Sequence, residues 1–225
     1  NTALGNKALM TATTADGNTA LGSEALRLTT TGANNVGVGA SALYSNTTAA
    51  GNTAIGAFSL NENTTGASNV AVGYYAMKGN TTASNNAALG YSALRFNTTG
   101  DQNSAVGYYC LRNNTTASNQ TAMGFQALAA NTTGAANSAF GSSALAANTT
   151  ANDNTAMGAG ALQANTTGYS NTAVGRMSLM TATTVSHNTA VGSAALKLAT
   201  TGASNTALGA EALDTLTTGS ANVAV

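Results

Sequence analysis

Hydrophobic and polar positions follow one cycle of 17 residues along the whole chain. The pentapeptide Asn-Thr-Ala-hydrophobic-Gly opens at Asn1. It returns at Asn18, Asn35, Asn52, Asn69, Asn86, Asn103, Gln120, Asn137, Asn154, Asn171, Asn188 and Asn205, and a last copy begins at Asn222. Nothing is inserted or deleted between copies, so residues 1–225 form one continuous repeat array of thirteen complete units. Loops of ordinary domains vary in length, whereas a fixed register arises when each unit stacks on the one before.

Within a unit, position 4 is Leu, Val, Ile, Met or Phe, position 5 is always Gly, position 8 is Ala, Ser or Cys, and position 9 is Leu except at Met77. Positions 13 and 14 are Thr in every complete unit. Helix-pair repeats have periods of about 33 residues upward, and Gly and Thr are poor helix formers. The pattern predicts an all-β fold, a parallel β-solenoid or β-roll of thirteen coils. Strands are expected near positions 2–4 and 7–10, with a shorter extended stretch at 12–14 and a corner at the position-5 Gly. Positions 4, 8 and 9 are expected to fill the interior. Position 15 alternates, Gly in even units and Ala or Val in odd ones, until Gly219 breaks the rule. One coil therefore takes either 17 or 34 residues; the shorter coil is preferred, and predicts a rod of about 62 Å at roughly 4.8 Å per coil.

Composition fits stacked coils. Charged residues make up 6% of the chain and Pro is absent. Stacking sets like charges about 4.8 Å apart, which is unfavourable, and Pro removes a ladder hydrogen bond. Asn tolerates stacking and bonds along its own column. The columns at position 1 and at position 12 (Asn46 to Asn165) read as such ladders. The array starts in phase and stops four residues into a unit, which suggests a stretch of a longer array. Residues 1–225 are not expected to contain a signal peptide or a transmembrane run, which says nothing of targeting.

Units such as NTALGSEALRLTTTGAN and NTAIGAFSLNENTTGAS resemble the Asn-Thr-Ala-Val-Gly repeats of bacteriophage tail fibres. They are also similar to the repeats in the heads of trimeric autotransporter adhesins, whose coil is shorter. The resemblance covers the whole chain. It implies a left-handed parallel β-roll, homotrimeric, with position 4 facing the core or the three-fold axis, and a place on a virion, on a cell surface or outside the cell.

Catalytic chemistry finds no foothold. His187 is the single histidine, so one chain cannot build a His triad or cluster; it reads as an exposed turn residue. Cys110, the single cysteine, sits in the small position-8 column and reads as a buried side chain. The acids Asp16, Glu24, Glu62, Asp101, Asp153, Glu211 and Asp214 fall in different columns or distant units. The Gly-x-Gly at Gly37 and Gly158 lack the strand-to-helix setting of a phosphate loop. The chain is read as no enzyme, with no cofactor, no metal, no membrane insertion and, at zero net charge, no nucleic-acid partner.

Three columns stand out. Position 6 carries Tyr74, Tyr91, Tyr108 and Phe125; position 7 adds Phe58, Tyr75 and Tyr109. Position 10 carries Lys78, Arg95 and Arg112 beside them, with Arg27 and Lys197 elsewhere. This strip suits either stacking on sugars and holding anionic cell-surface glycans, or packing between coils and subunits. Asn-Thr-Thr matches the N-glycosylation pattern at Asn46, Asn63, Asn80, Asn97, Asn114, Asn131, Asn148 and Asn165, against the turn ladder that explains the same residues. Three roles stay open: the shaft of a surface fibre, a glycan-binding adhesin head, and a self-assembling filament. Ice binding by a Thr rank is a minor alternative.

Overall fold

Extended backbone alternates its side chains between two faces, so Thr-Ala-hydrophobic must send Ala one way and its two neighbours the other. In the computed structural model, which describes all 225 residues, this triplet forms the strand of every unit. Fourteen short strands run from β1 (Thr2–Leu4) to β14 (Val223–Ala224) in chain order. Pairing is parallel, with Thr2 opposite Thr19 and Leu4 opposite Leu21. One coil is therefore 17 residues, and the 34-residue alternative falls.

The repeat is continuous in sequence, and the folded chain forms two compact units, Asn1–Ser118 and Asn119–Val225. In the first, β1 to β7 (Ser104–Val106) form one run in which each strand from β1 to β6 pairs with its successor. In the second, β8 (Thr121–Met123) to β13 likewise each pair with the strand that follows, ending at β14.

Each coil holds one strand rather than the two or three that the sequence suggests. Positions 6–11 are turn, and 12–14 is irregular. The physical reason lies at positions 7 and 9, which adopt left-handed backbone, as at Glu24 (φ 59°) and Leu26 (φ 53°). For a leucine that conformation costs on the order of 1 kcal/mol. It persists because the side chain it turns inward is fully buried, which is worth about 1.5–3 kcal/mol. The turn also keeps its hydrogen bonds. Glu24 N–H reaches back to Asn6 O at 2.8 Å, and Leu26 N–H reaches forward to Ala42 O at 2.9 Å. Stacking therefore continues round the coil where the strand ends.

The interior differs from the expected set in one column. Positions 8 and 9 are buried as expected, but the strand residue that joins them is the position-3 Ala, not the position-4 aliphatic. Buried Asn at positions 1 and 12 complete the filling. Asn35 shows the position-1 ladder: its N–H donates to Asn18 Oδ1 at 2.8 Å and its Nδ2 to Ala49 O at 2.9 Å. At position 12, Asn80 Nδ2 donates to Asn63 Oδ1 at 2.8 Å and to Ala83 O at 3.0 Å. This second ladder stops at Asn165, whose Oδ1 has no partner because Ala182 follows it in the column.

Close approach between coils explains both glycine columns. A Cβ on Gly90 (φ +136°) would lie 2.5 Å from Gly107 O, so position 5 admits nothing larger. A Cβ on Gly66 would meet Ala83 O at 2.2 Å, and one on Gly100 would meet Ala117 O at 2.1 Å. The alternation at position 15 is thus a backbone fit between successive coils.

Candidate functional site

With Ala turned inward, the strand presents positions 2 and 4 to its outer side. Leu4, Leu21, Ile55, Leu89, Met123, Met157 and Leu208 are exposed, and Val38, Val72, Val106, Phe140, Val174 and Val191 are half-buried. Position 2 is Thr in most units and otherwise Val, Ser or Ala. No charged residue occupies either column in any unit. This uncharged, aliphatic and Thr-lined face is the feature that assigning position 4 to the interior concealed. The signal for it was present, since a position held at Ala, with Gly37 once, is a tighter constraint than one that accepts five aliphatic or aromatic types.

The 6–11 turn carries the other candidate. In the first unit, Tyr74, Tyr91 and Tyr108 stack, with ring centroids 5.6 and 5.2 Å apart and interplanar angles of 20° and 12°. Tyr75 and Tyr109 lie 4.0 and 4.1 Å from Tyr74 and Tyr108, and Phe58 packs 5.4 Å from Tyr75. Both faces of Tyr91 are therefore covered by neighbouring rings, which leaves its edge rather than its face outward. That arrangement favours packing between coils over sugar stacking. A hydrogen bond with Tyr75 raises the Tyr74 pKa, and one with Tyr109 raises that of Tyr108. Phe125, in the second unit, is exposed.

The basic column interleaves with these rings. Arg95 lies over Tyr75 at 4.5 Å and over Phe96 at 4.9 Å; Arg112 lies over Tyr109 at 4.8 Å and over Phe96 at 5.3 Å. Phe96, at position 11, was not among the expected residues; only its place one step past the basic column could have marked it. Lys78 pairs with Glu62. Arg27 pairs with Glu24 at 2.9 Å and donates to Tyr44 Oη at 2.8 Å.

The remaining candidates resolve individually. Asn46, Asn63, Asn80, Asn97, Asn114, Asn131, Asn148 and Asn165 are all fully buried, and their Nδ2 groups are donated to carbonyls of the position-15 column. A glycan on Nδ2 has no room in the folded coil, so the glycosylation reading is withdrawn in favour of the ladder. His187 is exposed and meets Tyr169 edge-on at 5.0 Å. Cys110 is buried, and burial pushes its thiol up to about 12. Of the paired threonines, the first donates along the stack, as Thr64 Oγ1 to Thr81 O at 3.0 Å, while the second is exposed. No helix is long and apolar enough to cross a membrane, and no cavity opens on the surface. Compared with protein-family models, curated proteins and solved structures, the chain matches none.

Proposed function

We propose that this chain is a structural repeat segment of an extracellular or virion surface fibre, in which copies meet through their strand faces. The observation that carries this reading is the uncharged aliphatic column at position 4. Each unit presents seven such residues. Burying a half-exposed aliphatic side chain is worth on the order of 1 kcal/mol. One unit thus offers about 7 kcal/mol, within the roughly 4–15 kcal/mol that association costs, and two units offer twice that. A second copy suits the face because identical uncharged columns can face one another without like-charge repulsion. The tail-fibre and adhesin resemblance implies a homotrimer with position 4 facing the core or the three-fold axis, and with Ala at position 3 in the core the axis is the place left for it. In this reading the chain supplies a scaffold and no catalysis.

Light-scattering mass and negative-stain images of the purified chain test the reading. A discrete small oligomer, three copies by the resemblance, supports it. A monomer at micromolar concentration overturns it, and open-ended polymers replace the fibre shaft by a self-assembling filament. The outward Thr columns also raise ice binding as an alternative, which thermal hysteresis in the monomeric state distinguishes.

A further inference from the structure

The four cations of the position-10 column in the first unit fall into two kinds. Lys78 and Arg27 have carboxylate partners, Glu62 and Glu24. Arg95 and Arg112 have none, although they occupy the same column in successive coils. Their backbones stand one coil apart, about 4.8 Å, so two like charges share one neighbourhood and repel. Flanking rings relieve part of that cost, Tyr75 and Phe96 at Arg95, and Phe96 and Tyr109 at Arg112. They do not neutralise it, and Nε of each arginine is buried without a hydrogen-bond partner.

A guanidinium sandwiched by rings keeps its in-plane N–H edge for oxygen acceptors, and that edge matches carboxylate or sulfate geometry. Two such edges on successive coils, with Phe96 as a shared neighbour, suit anionic groups repeated along one extended chain. A second copy of this chain cannot supply them, because no column carries acids in adjacent coils. With no cavity on the surface, the contact runs along an open ladder, which suits an extended polymer. The covered faces of Tyr91 leave polar edges, rather than ring stacking, to do the recognition.

We propose that Arg95 and Arg112, flanked by Tyr75, Phe96 and Tyr109, bind an extended acidic polysaccharide whose carboxylate or sulfate groups bridge the two guanidinium edges. The site lies on the turn side and stands independently of whether copies meet through the strand face.

Calorimetric titration of the full chain with polygalacturonate, a heparin oligosaccharide, neutral dextran and duplex DNA of equal charge tests it. Binding of either acidic polysaccharide, weakened by salt, is expected, and which one binds tells carboxylate from sulfate. The R95Q/R112Q variant should lose at least about tenfold in affinity, the loss of a charge-assisted contact, while K78Q changes little. R95K/R112K keeps the charge without the planar fork and should fall between wild type and the Gln variant. Equal binding by wild type and R95Q/R112Q overturns the proposal, as do equal binding of dextran or DNA and no binding of either acidic polymer. Circular dichroism and mass on the same samples separate loss of the site from loss of fold or assembly.

Discussion

Leu89 and Leu94 stand in one coil, five residues apart, and meet opposite fates. Leu89, on the strand, is 51% exposed; Leu94, in the turn, is 0% exposed. The difference follows from backbone geometry. The strand's alternation commits Ala88 inward and Leu89 outward, while left-handed backbone at Leu94 (φ 53°) swings a large side chain into the coil. Hydrophobicity alone cannot tell them apart. The two sides of the coil also differ outward: the strand side repeats one uncharged surface in every unit, whereas the turn side varies and concentrates the stacked aromatics and their arginines in a few coils. A surface repeated without change suits a partner that runs along a stack of coils, and one that changes coil by coil suits a local contact.

Substitution of the two leucines breaks the comparison most strongly. Leu94→Ala should destabilise the fold by about 2–5 kcal/mol, as cavity formation does. Leu89→Ala should cost within about 0.5 kcal/mol in the separated chain; thermal melts at low concentration check both. Gly90→Ala comes next, at roughly 2–4 kcal/mol, because left-handed strain adds to contact with Gly107 O. Asn97→Ala should cost about 1–3 kcal/mol by chemical denaturation, since it leaves Asn80 Oδ1 and Gly100 O without their donor.

The smallest effect is a pH dependence on the turn side. Tyr74 and Tyr108 have raised pKa values, chiefly through hydrogen bonds with Tyr75 and Tyr109, and burial raises Cys110 to about 12 from 9.0. Each group is neutral when protonated, and the fold favours that form. Their contribution is fully present below the unfolded values and is lost as pH rises through the folded ones. Melting temperature should hold below pH 9 and fall from there toward pH 12, and Cys110→Ala should remove the thiol's share. The same buried thiol should resist alkylation at neutral pH until the chain unfolds.

Much of this was legible in the sequence. The repeat gave the 17-residue period while leaving the coil at 17 or 34 residues, which strand register decided; the Asn columns announced their ladders, and the position-8 column marked Cys110 as interior. The turn conformation was not legible, because Leu in left-handed backbone contradicts its own propensity and is held only by stacking. Position 4 was misplaced for the same reason: once the turn supplied Leu to the core, the strand had room only for Ala. Of the strip, Phe58 to Arg112 appeared by column, but the insertion of Phe96 between two arginines depended on side-chain geometry that spacing does not carry.

Copies meeting through the strand face are tested most directly by the molar mass of the Ile55→Lys/Leu89→Lys variant beside that of wild type. Both positions are exposed, so the chain's own β-sheet should survive. The expected result is an oligomeric wild type and a variant that runs as a folded monomer with unchanged circular dichroism. An identical oligomer for both would contradict it.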